Sequence, residues 1–172
     1  METLRRAQAA AVTGLTQRQL DHWDRSGYVV PSGSGRGQGK ARSWGPVAVA
    51  RLAVIRAYLD AGVELTVAVD ATAPFEEMPL EAIRDGFSLV YADGNAAVVP
   101  REQAYEDLRR VVRAKSGLTK IVQIGPILDG VIENIAERFP ERLPAFVPLA
   151  SPTLVRQLGV GQTAPAGRSV EM

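Results

Sequence analysis

The chain has no cysteine and one histidine in 172 residues. The first absence removes disulfides, thiolate metal sites and thiol nucleophiles together. The second leaves His22 with no partner cluster for metal binding or catalysis. No serine, histidine and acid arrangement for nucleophilic catalysis is visible. No apolar run approaches the ~18 residues that a membrane span needs. The apolar part of the opening METLRRAQAAAVTG is too short and too helix-like for a secretory leader, so a cytoplasmic protein is expected. The glycine-rich stretch fails as a phosphate loop. Ser34 stands where a Walker loop needs glycine, and Ala41 where it needs Ser or Thr. A dinucleotide fingerprint needs a helix straight after its glycines, whereas Lys40-Ala41-Arg42-Ser43-Trp44 reads as extended. Glu76-Glu77 and Glu106-Asp107 are adjacent carboxylates on exposed elements and read as solvated. No enzyme activity, no cofactor and no metal site are expected.

Apolar content is 46% and charged content 23%, the composition of an ordinary globular chain. Net charge is only +1, but its distribution is uneven. Residues 1–60 hold nine Lys or Arg against four Asp or Glu, and the remainder hold eleven against fifteen. A basic head of +5 precedes an acidic body of −4.

The informative stretch is Ala9 to Trp44. A short apolar helix over Ala7–Val12 ends in Thr13-Gly14. A second opens at Thr16, whose hydroxyl can cap the free N–H groups of the first turn, and runs to Ser26. So short a link makes the two helices cross steeply, as in a helix-turn-helix. The second helix carries Gln17, Arg18, Gln19, His22 and Arg25 on its polar side and Leu20 and Trp23 on its apolar side. Gly27 ends it. Extended pieces Tyr28–Val30 and Ala41–Trp44 then predict a hairpin. Its tip has glycines at 33, 35, 37 and 39, with Arg36, Lys40 and Arg42 as its charges. A flexible basic loop beside a polar helix suits the sugar-phosphate backbone of DNA. Trp23, Trp44 and Tyr58 fall on apolar sides and are expected in the core.

Further along, Gly45-Pro46 starts a third helix that stops at Ala61-Gly62, with proline at a favourable first position. A fourth runs from Glu64 to Thr72, broken by Pro74. A helical turn is expected over Leu80–Arg84. Strands are predicted at Phe87–Ala92 and Ala96–Val99 around an Asp93-Gly94-Asn95 turn, and a third at Thr119–Ile124. An amphipathic helix is expected over Arg101–Lys115. A strong helix over Pro126–Phe139 carries the apolar stripe Ile127, Leu128, Val131, Ile132 and Ile135, which can pack on its own strands or form a dimer seam.

The run Thr13-Gly14-Leu15-Thr16, then Arg18, Leu20, Trp23, Gly27, Pro31, Arg42-Ser43-Trp44, Leu52, Ile55 and Leu59-Asp60-Ala61-Gly62-Val63-Glu64-Leu65 resembles the MerR superfamily of bacterial regulators over residues 7–70. The wording RQLDHWDRSG resembles the actinobacterial branch more than the metal sensors. The FSLVYADG and IVQIG strands resemble the small C-terminal domain of that branch. The resemblance implies a winged helix-turn-helix that dimerises through C-terminal segments and binds a pseudo-palindromic promoter. It also implies underwinding of a long spacer for RNA polymerase. Asp21 stands where many members carry arginine and His22 where they carry an aromatic, which leaves Arg18 and Arg25 as substitutes for the usual phosphate contact. The glycine-rich loop is longer than the common form, and the thiolate metal site of the metal sensors does not carry over.

The expectation is therefore an α+β, mainly α fold. Residues 1–74 form a winged helix-turn-helix domain, residues 75–150 a small α+β dimerisation or effector domain, and residues 151–172 a disordered tail. A homodimer would bind double-stranded DNA through Thr16, Gln17, Arg18, Gln19, His22, Arg25, Arg36, Lys40 and Arg42, and would pair through Ile127, Leu128, Val131, Ile132 and Ile135. The C-terminal domain is a place for a partner protein or a small-molecule effector. Two alternatives are an antitoxin-like interaction module with autoregulatory DNA binding and an architectural factor that bends DNA for recombination or partition.

Overall fold

A computed structural model describes residues 3–32, 42–91, 94–101 and 118–160. The Arg101–Lys115 helix, apart from Arg101 itself, lies outside the described residues, as do the loop cations Arg36 and Lys40.

Helix α1 spans Arg6–Thr13 and α2 spans Gln17–Arg25. Gly14 joins them with φ +70°, a left-handed conformation open to glycine at little cost. Helix α3, Pro46–Asp60, is the hub. Residues on every side of it are buried, among them Val49, Leu52, Ile55 and Tyr58. A helix apolar all round belongs in the middle of a core. Helix α4, Leu65–Thr72, packs against it and continues into a 3₁₀ turn over Ala73–Glu76.

The hairpin expected over Tyr28–Trp44 is not formed as predicted. Strand β2, Ser43–Trp44, pairs antiparallel with β1, Leu4–Arg5, at the head of the chain. Tyr28–Val30 is not a strand. Its backbone is engaged elsewhere: the Tyr28 N–H donates to Trp23 O at 2.9 Å and its carbonyl accepts from Arg51 at 3.1 Å. Leu4, fully buried, is what draws the lead-in segment into the core.

Beyond α4 come α5 (Leu80–Arg84), β3 (Phe87–Tyr91), β4 (Ala96–Val99) and β5 (Leu118–Gln123). The strands form an antiparallel sheet in the order β4-β3-β5, with β4 against α4. Gly94, at φ +86°, sits at the expected turn between β3 and β4.

Helix α6, Ile124–Arg138, follows β5 directly. Leu128, Ile132 and Ile135 are fully buried and Val131 nearly so, with Ile127 half-buried. Their helix packs on α3 and α1 as well as on α5. The apolar stripe expected as a dimer seam is thus largely inside the protomer. The side chains from Leu4 to Leu154 make one continuous core, and the boundary expected near residue 74 falls within it.

The chain after Pro140 stays folded. A short helix α7, Leu143–Phe146, lies between two 3₁₀ turns, and α8 spans Pro152–Gln157 with Leu154 buried. Ser151 caps α8 through Leu154 N, and its own N–H donates to Asp129 Oδ1 at 2.7 Å. The tail expected from residue 151 therefore begins with a helix. Pro152 sits in the first turn of α8, where its missing N–H costs nothing.

A core shared by both halves should unfold as a unit. Ile132→Ala, which deletes a fully buried side chain of α6, should cost about 2–5 kcal/mol in urea unfolding. The tryptophan signal of Trp23 and Trp44, far away in sequence, should shift by the same amount. A tryptophan transition left in place would contradict the shared core.

Candidate nucleic-acid interface

Helix α2 owes its start to a reciprocal cap. Thr16 Oγ1 accepts from Gln19 N at 3.2 Å, and Gln19 Oε1 accepts from Thr16 N at 2.9 Å. This is a capping box, which satisfies two of the otherwise orphaned donors at a helix start. Thr16 and Gln19 thus carry a structural duty besides the DNA contact assigned to them. The apolar side, Leu20 and Trp23, is buried, and Trp44 and Tyr58 join them in the core as expected.

The polar side remains open. Gln17, Arg18, His22 and Arg25 are exposed and Gln19 is half-exposed. Thr16, Arg18, Gln19, His22 and Arg25 line one shallow concavity. The structure thus brings together five of the nine residues predicted from sequence, with Gln17 beside them on the first turn. His22 stands edge-on to the Tyr28 ring, centroids 6.3 Å apart and planes at 89°. Arg25 Nε donates to Asp21 O at 3.0 Å, which holds its guanidinium along the helix.

Three contacts fix the base of the glycine-rich loop, one of them to this helix. On the outgoing limb, the Tyr28 carbonyl is held by Arg51. Across the base, Gly45 N–H donates to Ser32 Oγ at 3.0 Å. On the returning limb, Arg42 forms an ion pair with Asp24 of α2. Arg42 is therefore a tether for the loop, its charge largely balanced, as well as a candidate phosphate contact.

Two residues organise the site beyond the roles expected from sequence. Asp21, the acidic departure from the family pattern, pairs with Arg6 at 2.5 Å and so ties α1 to α2. Arg51 was lost in the apolar run of α3. Its residue exposure is 6%, and its guanidinium donates to Glu76 Oε1 at 2.6 Å, to Tyr28 O at 3.1 Å and to Val69 O at 3.5 Å. One cation inside Val-Ala-Arg-Leu-Ala-Val-Ile was the available signal, because a buried charge needs partners.

Another cleft opens where α6 begins, lined by Arg84, Asp85, Gly86, Arg101 and Gln123. The hydrogen bond from Arg84, reinforced by its charge, holds the Asp85 carboxyl below the ordinary carboxylate range, and Asp85 in turn raises Arg84. Among the described residues no group of His, Asp or Glu is placed to hold a metal ion. No helix there is long and apolar enough to cross a membrane.

A capped second helix with an open polar side, a steep turn before it and a pinned loop behind it define a helix-turn-helix domain. Residues 4–72 match the family described as MerR HTH family regulatory protein. The N-terminal part of the chain is a MerR-type helix-turn-helix, the domain class of DNA-binding transcription regulators. No curated protein matches the chain.

Removing the cap by Thr16→Ala should cost about 1 kcal/mol of stability, read as a lower urea midpoint at constant m-value. Asp85 has its folded pKa lowered, so its stabilisation is present above the unfolded carboxyl pKa, about 3.9, and fades as pH falls through the folded value. Asp85→Asn should accordingly flatten the acid limb of the stability profile and leave its neutral plateau nearly parallel to wild type.

Proposed function

We propose that the protein is a homodimeric, sequence-specific transcriptional regulator that inserts α2 into the major groove of a pseudo-palindromic DNA site. Gln17, Arg18, His22 and Arg25 face the bases and the adjoining phosphates, with Thr16 and Gln19 at the rim. Arg36, Lys40 and Arg42 lie along the flanking backbone. The observation that carries this reading is the single concavity formed by the exposed polar residues of a capped second helix in a MerR-type domain. Residues at the start of such a helix reach base edges, and arginine can bond guanine bidentately.

Two copies are implied by the two-fold character of sites that such domains read. The seam lies in the C-terminal half but does not run through Leu128, Val131, Ile132 and Ile135, which fill their own protomer's core. Ile127, half-buried, is the one residue of that stripe left at its margin. RNA polymerase would be met at the promoter. A small-molecule effector or partner protein would act through residues 75–160, which reach the DNA-binding helices directly through α6.

Selection from a randomised DNA pool should enrich one motif with two inverted half-sites. Arg18→Ala should relax preference at one base position in each half-site, by about 1–3 kcal/mol. Arg36→Ala should instead weaken binding across all sequences and lower the salt slope by ~1 per protomer. Unchanged selection and affinity in both variants would sink the reading.

A further inference from the structure

We propose that Arg51, which cannot touch DNA, is a positioning residue of the DNA interface, and that Glu76 holds it there from the C-terminal side. The inference rests on the DNA-binding reading above.

Arg51 lies in the middle of α3 and is nearly inaccessible. Its guanidinium joins three segments that are far apart in sequence: Tyr28 at the exit of α2, Val69 in α4, and Glu76 in the 3₁₀ turn that leads to α5. Tyr28 is held from both sides. Its N–H donates to Trp23 O in the last turn of α2, and its carbonyl accepts from Arg51. Gly27, at φ +72°, makes the reversal between them. The Tyr28 ring meets His22, one of the exposed residues of the concavity. The outgoing limb of the loop, the end of α2 and the His22 ring thus share one anchor. That anchor is also bonded, at 2.6 Å, to a carboxylate beyond α4, Glu76, whose side chain is 55% exposed against 7% for Arg51.

A planar fork suits this junction, because a guanidinium presents several donors in fixed directions. A lysine could supply the charge to Glu76 or the hydrogen bond to Tyr28 O, but not both in this geometry. Glu76 is also open to solvent on the side away from the fork. Anything that draws it off Arg51, such as a cationic effector or partner, would loosen Tyr28 without touching DNA.

The test compares wild type, Arg51→Met, Arg51→Lys and Glu76→Gln on the DNA site selected by wild type. Each is measured well below its Tm, with the folded fraction checked by circular dichroism. Affinity should fall about tenfold in Arg51→Met and about threefold in Glu76→Gln, the scale of remote couplings. Arg51→Lys should recover only part of the loss. Backbone amides of residues 23–28 should exchange faster in Glu76→Gln while those of α1 do not. A merely structural Arg51 would lower Tm and leave the affinity of the folded protein unchanged. Wild-type affinity in folded Arg51→Met, or in Glu76→Gln if Arg51→Met does not fold, overturns the inference. If wild type itself selects no DNA, the DNA-binding reading fails first and takes this inference with it.

Discussion

A buried guanidinium is expensive unless its charge is met and its donors are used, and Arg51 turns both terminal nitrogens to three segments packed around α3, while its Nε has no partner among the described residues. Few other arrangements of these segments would do. The exit of α2 must bring the Tyr28 carbonyl to within 3.1 Å of Nη2, and the turn after α4 must bring a carboxylate to within 2.6 Å of Nη1. The interaction therefore specifies as much as it stabilises. Part of its electrostatic gain is screened, because Glu76 is half in water. Its geometric content is not screened.

The apolar frame supports the same end. Two short helices and a two-residue ribbon bury little surface alone, and small units are marginal for that reason. Here α6 supplies the missing partner. It reaches back from the C-terminal half to lie on α1 and α3, and Ile124, Leu128, Ile132 and Ile135 extend the core that Leu20, Trp23, Leu52 and Ile55 begin. The helix-turn-helix is thus completed by residues more than fifty positions downstream of its last helix. Any change in the C-terminal half that moves α6 is transmitted to the elements that carry α2.

What could be read from the sequence was what local chemistry dictates. Thr16 announces a helix start, Gly14 and Gly27 announce reversals, and the spacing of Leu20 and Trp23 gives the buried side. Each rests on neighbours a few residues apart, and each element stands where it was expected. Two of the errors share a different cause. The loop's returning strand was paired with the nearest extended segment, Tyr28–Val30, whereas it pairs with Leu4–Arg5 because Tyr28 has its backbone groups engaged by Trp23 and Arg51. The stripe on α6 was plainly apolar, but periodicity does not name the surface it meets. The helix over Pro152–Gln157 falls where a disordered tail is expected, although Ser151 and Pro152 make a local start signal. Long-range pairing decided the first two, and no local pattern encodes it. The residues proposed for DNA contact fall between these cases. Their exposure on one side of α2 was legible, while the loop cations Arg36 and Lys40 lie outside the described residues.

The basic head has a finer structure than its net charge conveys. Among the described residues of the first sixty, Arg6, Arg42, Arg51 and Arg56 each face a carboxylate, from Asp21, Asp24, Glu76 and Asp60 respectively. These pairs spend charge on holding helix to helix, loop to helix and turn to helix. Arg5, Arg18 and Arg25 have no carboxylate partner among the described residues, and all are exposed. Two of them stand on the open side of α2. The third adjoins the same region through the β1–β2 ribbon and through Arg6, its neighbour, on Asp21. Unpaired cations repel one another across such a surface, a cost the protein bears in the free state and recovers when a polyanion lies against it. Asp21 and Asp24, the two acids of α2, are consistent with this division. They face the structural arginines Arg6 and Arg42, and leave Arg18 and Arg25 to whatever approaches from outside.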